Sequence, residues 1–456
     1  MVARLAALCD IGANTKSAAI EVKGLSLTRE SGTLGWQLRT YLMLRSVLQP
    51  VMRRVTAKRV RSGKDDPARS GEKLGVYNIP RPAGAVVWVH AVGLGEVLAL
   101  RPLLVEIGRQ APNVHFLVTS TARSSAQVMG RNLPANTTHQ FLPLDGPRFV
   151  RGFLDHWRPD LSIWSEQDIW PGIVIDVKRR GIPLAYINAR ISQSGYEKRA
   201  KFRTGFAALM GHFDRVYAQD DHSVSRLKAL GAARVDKMGS LKPAAEPLAV
   251  DHEALAAWQV VKAGRRIWVA ASTHDGDEEI VLKAHRQILT SDPAALLILV
   301  PRDLDRAADI NQLATSYGLR TALRSQSSSC APETSLYIAD SFGELGLWYR
   351  LASHAFVGGS FANIGGHNPW EPICLGCPVL HGPNTQNFVR DYADLNAAGI
   401  ALPIAAGPAA AFHLAQAVLT QDVASVAQAA AVLTEQARAG LVPLAQDLLS
   451  MLGGRT

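Results

Sequence analysis

The 456-residue chain is 47% hydrophobic and 19% charged with a formal net charge of +10, long enough for two domains with separate cores. No run of 18 uncharged apolar residues occurs, which excludes an obvious membrane-spanning helix. Cys9, Cys330, Cys374 and Cys377 are too few and too scattered for a disulfide framework, so a reducing compartment fits.

Residues 1–35 show no clear period and read as a poorly ordered leader. The start, MVARLAALCD, has too short an apolar core for a signal peptide. Residues 36–80 differ. Ten Lys and Arg against Asp65, Asp66 and Glu72 place +7 of the net charge between Trp36 and Val76. Trp36, Leu38, Tyr41, Leu42, Leu44, Val47, Leu48, Val51 and Met52 recur there at roughly helical spacing, with Arg39, Arg45, Arg53, Arg54 and Lys58 between them. A basic helix with an apolar stripe is the composition of an interfacial membrane anchor and equally of a helix that covers a domain. Nucleic acid ranks below both, because no stacking aromatics or binding motif accompany the charge.

From Ala85 the pattern alternates strand and helix. AVVWVHAV, VHFLVTS, HQFLPL, LSIWSE, PLAYIN and RVYAQ read as strands within a first domain, 81–245. After the Pro-containing link Leu241–Pro247, RIWVAAS, LLILV, LYIAD, HAFVGG and PVLHG form a second series, 246–440. Helices between strands predict a mostly parallel sheet in each half. The Ala-rich tail is helical, and 441–456 is expected to cross back to the first half.

The densest group of site-like residues lies between Val357 and Phe388. Gly365 and Gly366 lack the Cβ that keeps backbone N–H groups from a phosphate, and a helix starting near Pro369 would turn its positive end to an anion. Glu371 could accept both hydroxyls of a ribose. A lone Gly-Gly reads as an ordinary turn, but His367, Asn368 and Glu371 within the same seven residues favour a nucleotide site.

Other strand-to-helix turns carry similar groups. Glu96 either caps a helix or acts as a base. Glu166 and Asp168 stand before Pro171, again at a strand end. Arg190 is either a surface arginine or a clamp for phosphate or carboxylate. Ser272, Thr273 and His274 precede a helix and can meet an anion through hydroxyls and backbone N–H groups. Arg302, Lys242 and the turn Ser341-Phe342-Gly343-Glu344 read evenly as ligand contacts or as solvated charges and helix caps. Cys374 and Cys377 read as core packing, and no carboxylate cluster has metal-ligand spacing.

The stretch GGSFANIGGHNPWEP, 358–372, followed by PVLHGPNTQNF, 378–388, resembles the Kdo transferases of lipopolysaccharide synthesis, which move 3-deoxy-D-manno-octulosonic acid (Kdo) from CMP-Kdo to a lipid A precursor. HAVGLGE at 90–96 is similar to that family's HAxSVGE, with Gly93-Leu94 in place of Ser-Val. EQDIWP at 166–171 resembles ETELWP, and NARIS at 188–192 resembles NARLS. In the second half STHDGDE, PRDLDR and SFGEL stand where the family has STHxGEE, PRHPER and TMGEL, while GSLK at 239–242 matches GNLK with Ser240 for Asn.

The resemblance implies an α/β GT-B fold, two Rossmann-like domains facing a cleft behind an N-terminal amphipathic helix. It implies an inverting glycosyltransferase with Glu96 as catalytic base. Ser272, Thr273, His274, Arg302, Ser341, Gly343, Glu344, Gly366, His367, Asn368 and Glu371 would bind the donor. Glu166, Asp168, Arg190 and Lys242 would clamp the acceptor or a phosphate. The expected partners are CMP-Kdo, a lipid A precursor and an anionic membrane surface at the cytoplasmic face of the bacterial inner membrane, with no nucleic acid. No metal or other cofactor is expected, since cationic side chains can stabilise a departing phosphate. The competing readings are a nucleotide-sugar epimerase of the same shape and a noncatalytic or altered-acceptor relative.

Overall fold

The computed structural model describes residues 35–92, 94–121, 134, 136–166 and 169–452. The sequence expectations for the leader before residue 35, for Gly93 and for Asp168 lie outside the described residues. The first sheet contains β1 (Val86–His90), β2 (His115–Ser120), β3 (Thr137–Phe141), β4 (Leu161–Ser165), β5 (Leu184–Ala189), β6 (Arg215–Ala218) and β7 (Val235–Lys237). Their spatial order is β3-β2-β1-β4-β5-β6-β7, and each neighbouring pair is parallel.

The strands read as unbroken apolar runs because both faces of the sheet are covered. Along β1, Val86 and Trp88 join the core on one face with Phe153, Trp157 and Trp164, while Val87 and Val89 join Leu100, Leu104 and Ile163 on the other. That alternation is the period-two geometry of a strand.

The second sheet contains β8 (Ile267–Thr273), β9 (Leu296–Pro301), β10 (Thr321–Leu323), β11 (Leu336–Ile338), β12 (Ala355–Val357), β13 (Val379–His381) and β14 (Ala401–Pro403). Its order is β10-β11-β9-β8-β12-β13-β14, also parallel throughout. β7, β10 and β14 are three-residue strands that periodicity did not mark. In each sheet the strand order reverses beside its first strand, between β1 and β4 and between β8 and β12. Ligand crevices of open α/β sheets form at such switch points, outside the carboxyl ends of the strands.

The last long helix, Val423–Ser450, ties the halves together. Val426 and Ala430 pack in the second half, whereas Leu441, Leu444, Ala445 and Leu448 enter the first-half core. The crossing is therefore made by its C-terminal turns, with the helix beginning well before residue 441. Among the described residues no single helix is long and apolar enough to cross a membrane.

Helices α1 (Trp36–Val47) and α2 (Gln49–Arg61) lie against the first domain. Leu38 is buried, and Arg45, 5% exposed, reaches Asp145 at 2.8 Å and Asp176 at 2.6 Å. Tyr41 donates to the other oxygen of Asp145 at 2.6 Å, and so does the N–H of Gly172 at 2.8 Å. Gly172 is required by close approach, since a Cβ there would stand 1.9 Å from the Arg45 guanidinium. One of the basic residues expected to face lipid is thus an internal tie. The opposite face stays open, with Trp36, Met43 and Val47 each about two-thirds or more exposed beside Arg39, Arg54 and Lys58.

Removing one partner of a buried ion pair leaves the other charge without compensation. Arg45→Ala is expected to destabilise the protein by about 3–5 kcal/mol, read from its chemical denaturation midpoint. A loss below about 1 kcal/mol, the scale of a surface ion pair, would contradict this role.

Candidate active site

The sequence-predicted residues gather at the two switch points. Glu96 lies in the first turn of the helix Leu94–Gln110 that follows β1, and the backbone N–H of Val92 donates to its Oε2 at 2.8 Å. Glu166 directly follows β4 on the other side of the switch point, and its carboxyl group hydrogen-bonds with that of Glu96. Two carboxyl groups can share a hydrogen bond only when one carries a proton. Burial raises the pKa of Glu166 above the usual carboxylate range. Lys242, the Glu96 hydrogen bond and Arg190 oppose that shift, and Asp391 adds to it.

The backbone beneath the pair is unusual. Glu166 and Asn188, at the ends of β4 and β5, both adopt left-handed conformations, with φ 61° and 51°. Such backbone costs on the order of 1 kcal/mol or more per residue and persists where the surroundings enforce it. Here the Asn188 amide donates to Glu166 Oε1 at 3.2 Å, the Tyr186 hydroxyl donates to the Glu166 carbonyl, and Gln219 donates to the Asn188 carbonyl at 3.0 Å. Arg190, half-buried just after β5, makes no hydrogen bond or ion pair among the described residues, so its guanidinium can take an incoming anion.

At the second switch point the organising group is Asp277, a residue not singled out from sequence. It is fully buried at the start of the helix Asp277–Ser291. Its carboxylate accepts the N–H groups of Gly359 at 2.6 Å, Phe361 at 2.9 Å, Ala362 at 3.2 Å and His274 at 3.0 Å. The turn after β12 is thereby fastened to the turn after β8. His274 and His367 then meet with Nε2 atoms 2.8 Å apart and rings nearly parallel. One imidazole must donate to the other, and burial, His274 and Arg302 lower His367 to a pKa of about 4.

The glycine turn differs from the expectation of a phosphate cradle. The N–H groups of Gly365 and Gly366 both point to the Gly359 carbonyl, at 3.2 and 2.8 Å. Their φ values, 100° and 74°, are glycine conformations, and a Cβ on Gly365 would stand 2.9 Å from the Asn387 amide. These glycines shape the turn. Asn387 and Asn384, also missed from sequence, close it by donating to the carbonyls of Ile364 and Phe361, each at 3.0 Å.

Asn368 caps the single turn Trp370–Ile373 by accepting the Trp370 N–H at 3.1 Å. Glu371 is largely buried beside it. Its pKa is raised by burial, against the pull of Asn368 and of Arg302. The Arg302 side chain is exposed and makes no hydrogen bond or ion pair among the described residues.

Five of the predicted donor contacts are engaged within the fold. Thr273 is buried with its hydroxyl 3.5 Å from Glu278. Ser272, beside it, has a left-handed φ of 55° and backs onto Gly358. Glu344 binds Arg324 through both carboxylate oxygens and takes the Ser341 hydroxyl, with Gly343 at φ 89° turning the chain between them.

The two edges meet across the cleft. Lys242 Nζ lies 2.9 Å from Asp391 Oδ2, and Arg390 lies 2.5 Å from Asp220. Among the described residues no group of three or more His, Cys, Asp and Glu side chains is placed to hold a metal ion.

Comparison with known proteins matches this arrangement. A family model for 3-deoxy-D-manno-octulosonic-acid transferase (kdotransferase) matches residues 68–245. A 3-deoxy-D-manno-octulosonic acid transferase of Rickettsia typhi is 34% identical over 302 residues, 66% of this chain and 65% of that protein. The chain therefore spans just under two thirds of that relative. The Rickettsia bellii protein of the same name is 32% identical over 347 residues, 76% of this chain and 82% of its own. UDP-GlcNAc 2-epimerase from Neisseria meningitidis superimposes with a TM-score of 0.51 at 12% identity, over 81% of this chain and 99% of that one, and shares the GT-B-like fold. With a relative of 32% identity matched over four fifths of its length, this chain belongs to the 3-deoxy-D-manno-octulosonic acid transferase family.

Proposed function

We propose that the protein transfers Kdo from CMP-Kdo to a hydroxyl group of a lipid A precursor, with inversion at the anomeric carbon. The observation that carries this reading is the Glu96–Glu166 pair at the first switch point, held opposite an anion-ready second one. The N–H of Val92 favours the carboxylate form of Glu96 and burial favours the neutral form of Glu166, so Glu96 is the proposed proton acceptor of the pair. Glu96 then takes the proton of the sugar hydroxyl as its oxygen attacks the anomeric carbon of Kdo. The bond from that carbon to the phosphate oxygen breaks, and its electron pair leaves with CMP. Attack from the side opposite the leaving group inverts the centre.

The donor would lie at the second switch point. Arg302 is the uncommitted cation for its phosphate, Glu371 an acceptor for ribose hydroxyls, and the His274–His367 pair a donor to the departing oxygen. Arg190 would receive an acidic group of the acceptor or of Kdo, whereas Lys242 is already bound to Asp391. This charge set performs the stabilisation that a divalent ion supplies elsewhere, so the reaction is proposed to need no metal.

A lipid acceptor calls for a protein that rests on the membrane surface. The outer face of α1 and α2, with Trp36, Met43, Leu44, Val47 and Val51 among Arg39, Arg54 and Lys58, has the required composition. This face is proposed to sit on the cytoplasmic leaflet of the inner membrane, with each cation near anionic headgroups contributing about 1 kcal/mol.

Incubated with CMP-Kdo and a tetra-acylated lipid A precursor, the protein is expected to add Kdo to the lipid by mass spectrometry, with the same yield in excess chelator. Glu96→Gln, which keeps the shape and removes the base, is expected to lower turnover by a factor of about 10²–10⁴. Near-normal turnover in that variant would refute the assignment. Replacing Trp36, Met43 and Val47 together by Ser should weaken flotation with anionic vesicles while leaving the unfolding midpoint in place. Unchanged flotation would place the membrane contact elsewhere.

A further inference from the structure

Asp391 lies outside every motif with a role so far, yet it connects the two halves of the site. It sits in the first turn of the helix Val389–Ala397 with its side chain 8% exposed. Its two oxygens face different partners. Oδ1 accepts the indole N–H of Trp370 at 2.8 Å, in the same short turn as Glu371 on the donor side. Oδ2 binds Lys242 Nζ at 2.9 Å, and Lys242 comes from the first half. Lys242 also lies over the Phe388 ring, 5.2 Å from its centre, so the ammonium is fixed from two sides.

We infer that Asp391 is a positioning residue for the transfer reaction, holding Lys242 across the cleft beside the Glu96–Glu166 pair while it steadies the Trp370 turn on the donor side. This inference rests on the reading of Glu96 as the base. The Asn188 amide that donates to Glu166 Oε1 at 3.2 Å accepts the N–H of Leu241, next to Lys242, at 3.4 Å, so the Lys242 segment is tied to the pair through one side chain; the charged groups that act on Glu166 are Glu96, Lys242, Arg190 and Asp391, with Tyr186 beneath. Among these the two cations favour ionisation and Asp391 opposes it. With Asp391 neutralised, Lys242 acts on Glu166 without a counter-charge, and the pair reaches its singly protonated state at lower pH. With Lys242 neutralised, the shift has the opposite sign. Because Asp391 also steadies the Trp370 turn, its charge and the seating of the donor are linked.

The neighbouring ion pair provides a control. Arg390 and Asp220 also join the halves and neither is among the groups acting on Glu166, so a purely mechanical latch predicts that breaking either pair has the same effect. The test is the pH dependence of kcat/KM for Kdo transfer in the full-length wild type, Asp391→Asn, Lys242→Gln, the double variant and Arg390→Gln, with unfolding midpoints measured alongside. Asp391→Asn is expected to move the acid limb down by about half a pH unit or more and Lys242→Gln to move it up. Arg390→Gln should leave the limb in place, whatever it does to kcat. In the Lys242→Gln background the shift from Asp391→Asn should shrink, because it acts largely through Lys242. Lys242→Gln and the Arg390→Gln control remain readable if Asp391→Asn folds poorly. An acid limb that Glu96→Gln abolishes but that neither Asp391→Asn nor Lys242→Gln moves would overturn this inference alone. Transfer that survives Glu96→Gln would overturn the base assignment and this inference with it.

Discussion

The second half of the site depends on one buried carboxylate. Asp277 gathers four backbone N–H groups from two separate turns. Each of those donors left unsatisfied in the interior would cost about 1–3 kcal/mol. The position of Asp277 at a helix start adds the favourable field of the helix N-terminus to an otherwise costly buried charge. With the two turns locked, His274 and His367 have little choice of where to stand, and the edge that faces the cleft is rigid before a ligand arrives.

The first switch point is built on the opposite principle. Its central charges are only partly compensated: two carboxyl groups share one hydrogen bond over a backbone in left-handed conformation. Strained and like-charged groups are destabilising, and they persist because Tyr186, Asn188 and Gln219 hold the backbone from below. A satisfied anchor on the donor side and a poised acid pair on the other fit a reaction that needs a fixed electrophile and a base able to take a proton.

Much of this was readable from sequence because strand ends announce themselves. Apolar runs followed by Gly, Ser or Asn mark the carboxyl edges, and Glu96, Glu166, Arg190, His274, Arg302 and His367 do lie there. Contacts that depend on pairing between distant turns were not readable. Asp277 is one of three acidic residues at a helix start and Asp391 one acidic residue after Phe388, and nothing in their local sequence sets either apart. The glycine pair was misleading for the same reason, since a sequence shows that the N–H groups are unshielded but not that Gly359 already accepts them. In α1 apolar residues occupy both faces, so periodicity could not say that Arg45 points inward while Trp36 points out.

Charge balance explains which cations remain for substrate. Around the cleft Arg306 is paired with Glu278, Arg324 with Glu344, Arg390 with Asp220 and Lys242 with Asp391. These pairs neutralise locally and hold loops in place, and they add little to the field felt by an incoming anion. Arg302 and Arg190 stand apart, one at each switch point, with no ion-pair partner among the described residues. Their charge is therefore available in the cleft, where low-dielectric walls strengthen it. The proposed donor, with an anionic phosphate and an anionic sugar, would use such a pair of sites, one for each group. Recognition then follows from where carboxylates are missing as much as from where arginines are present.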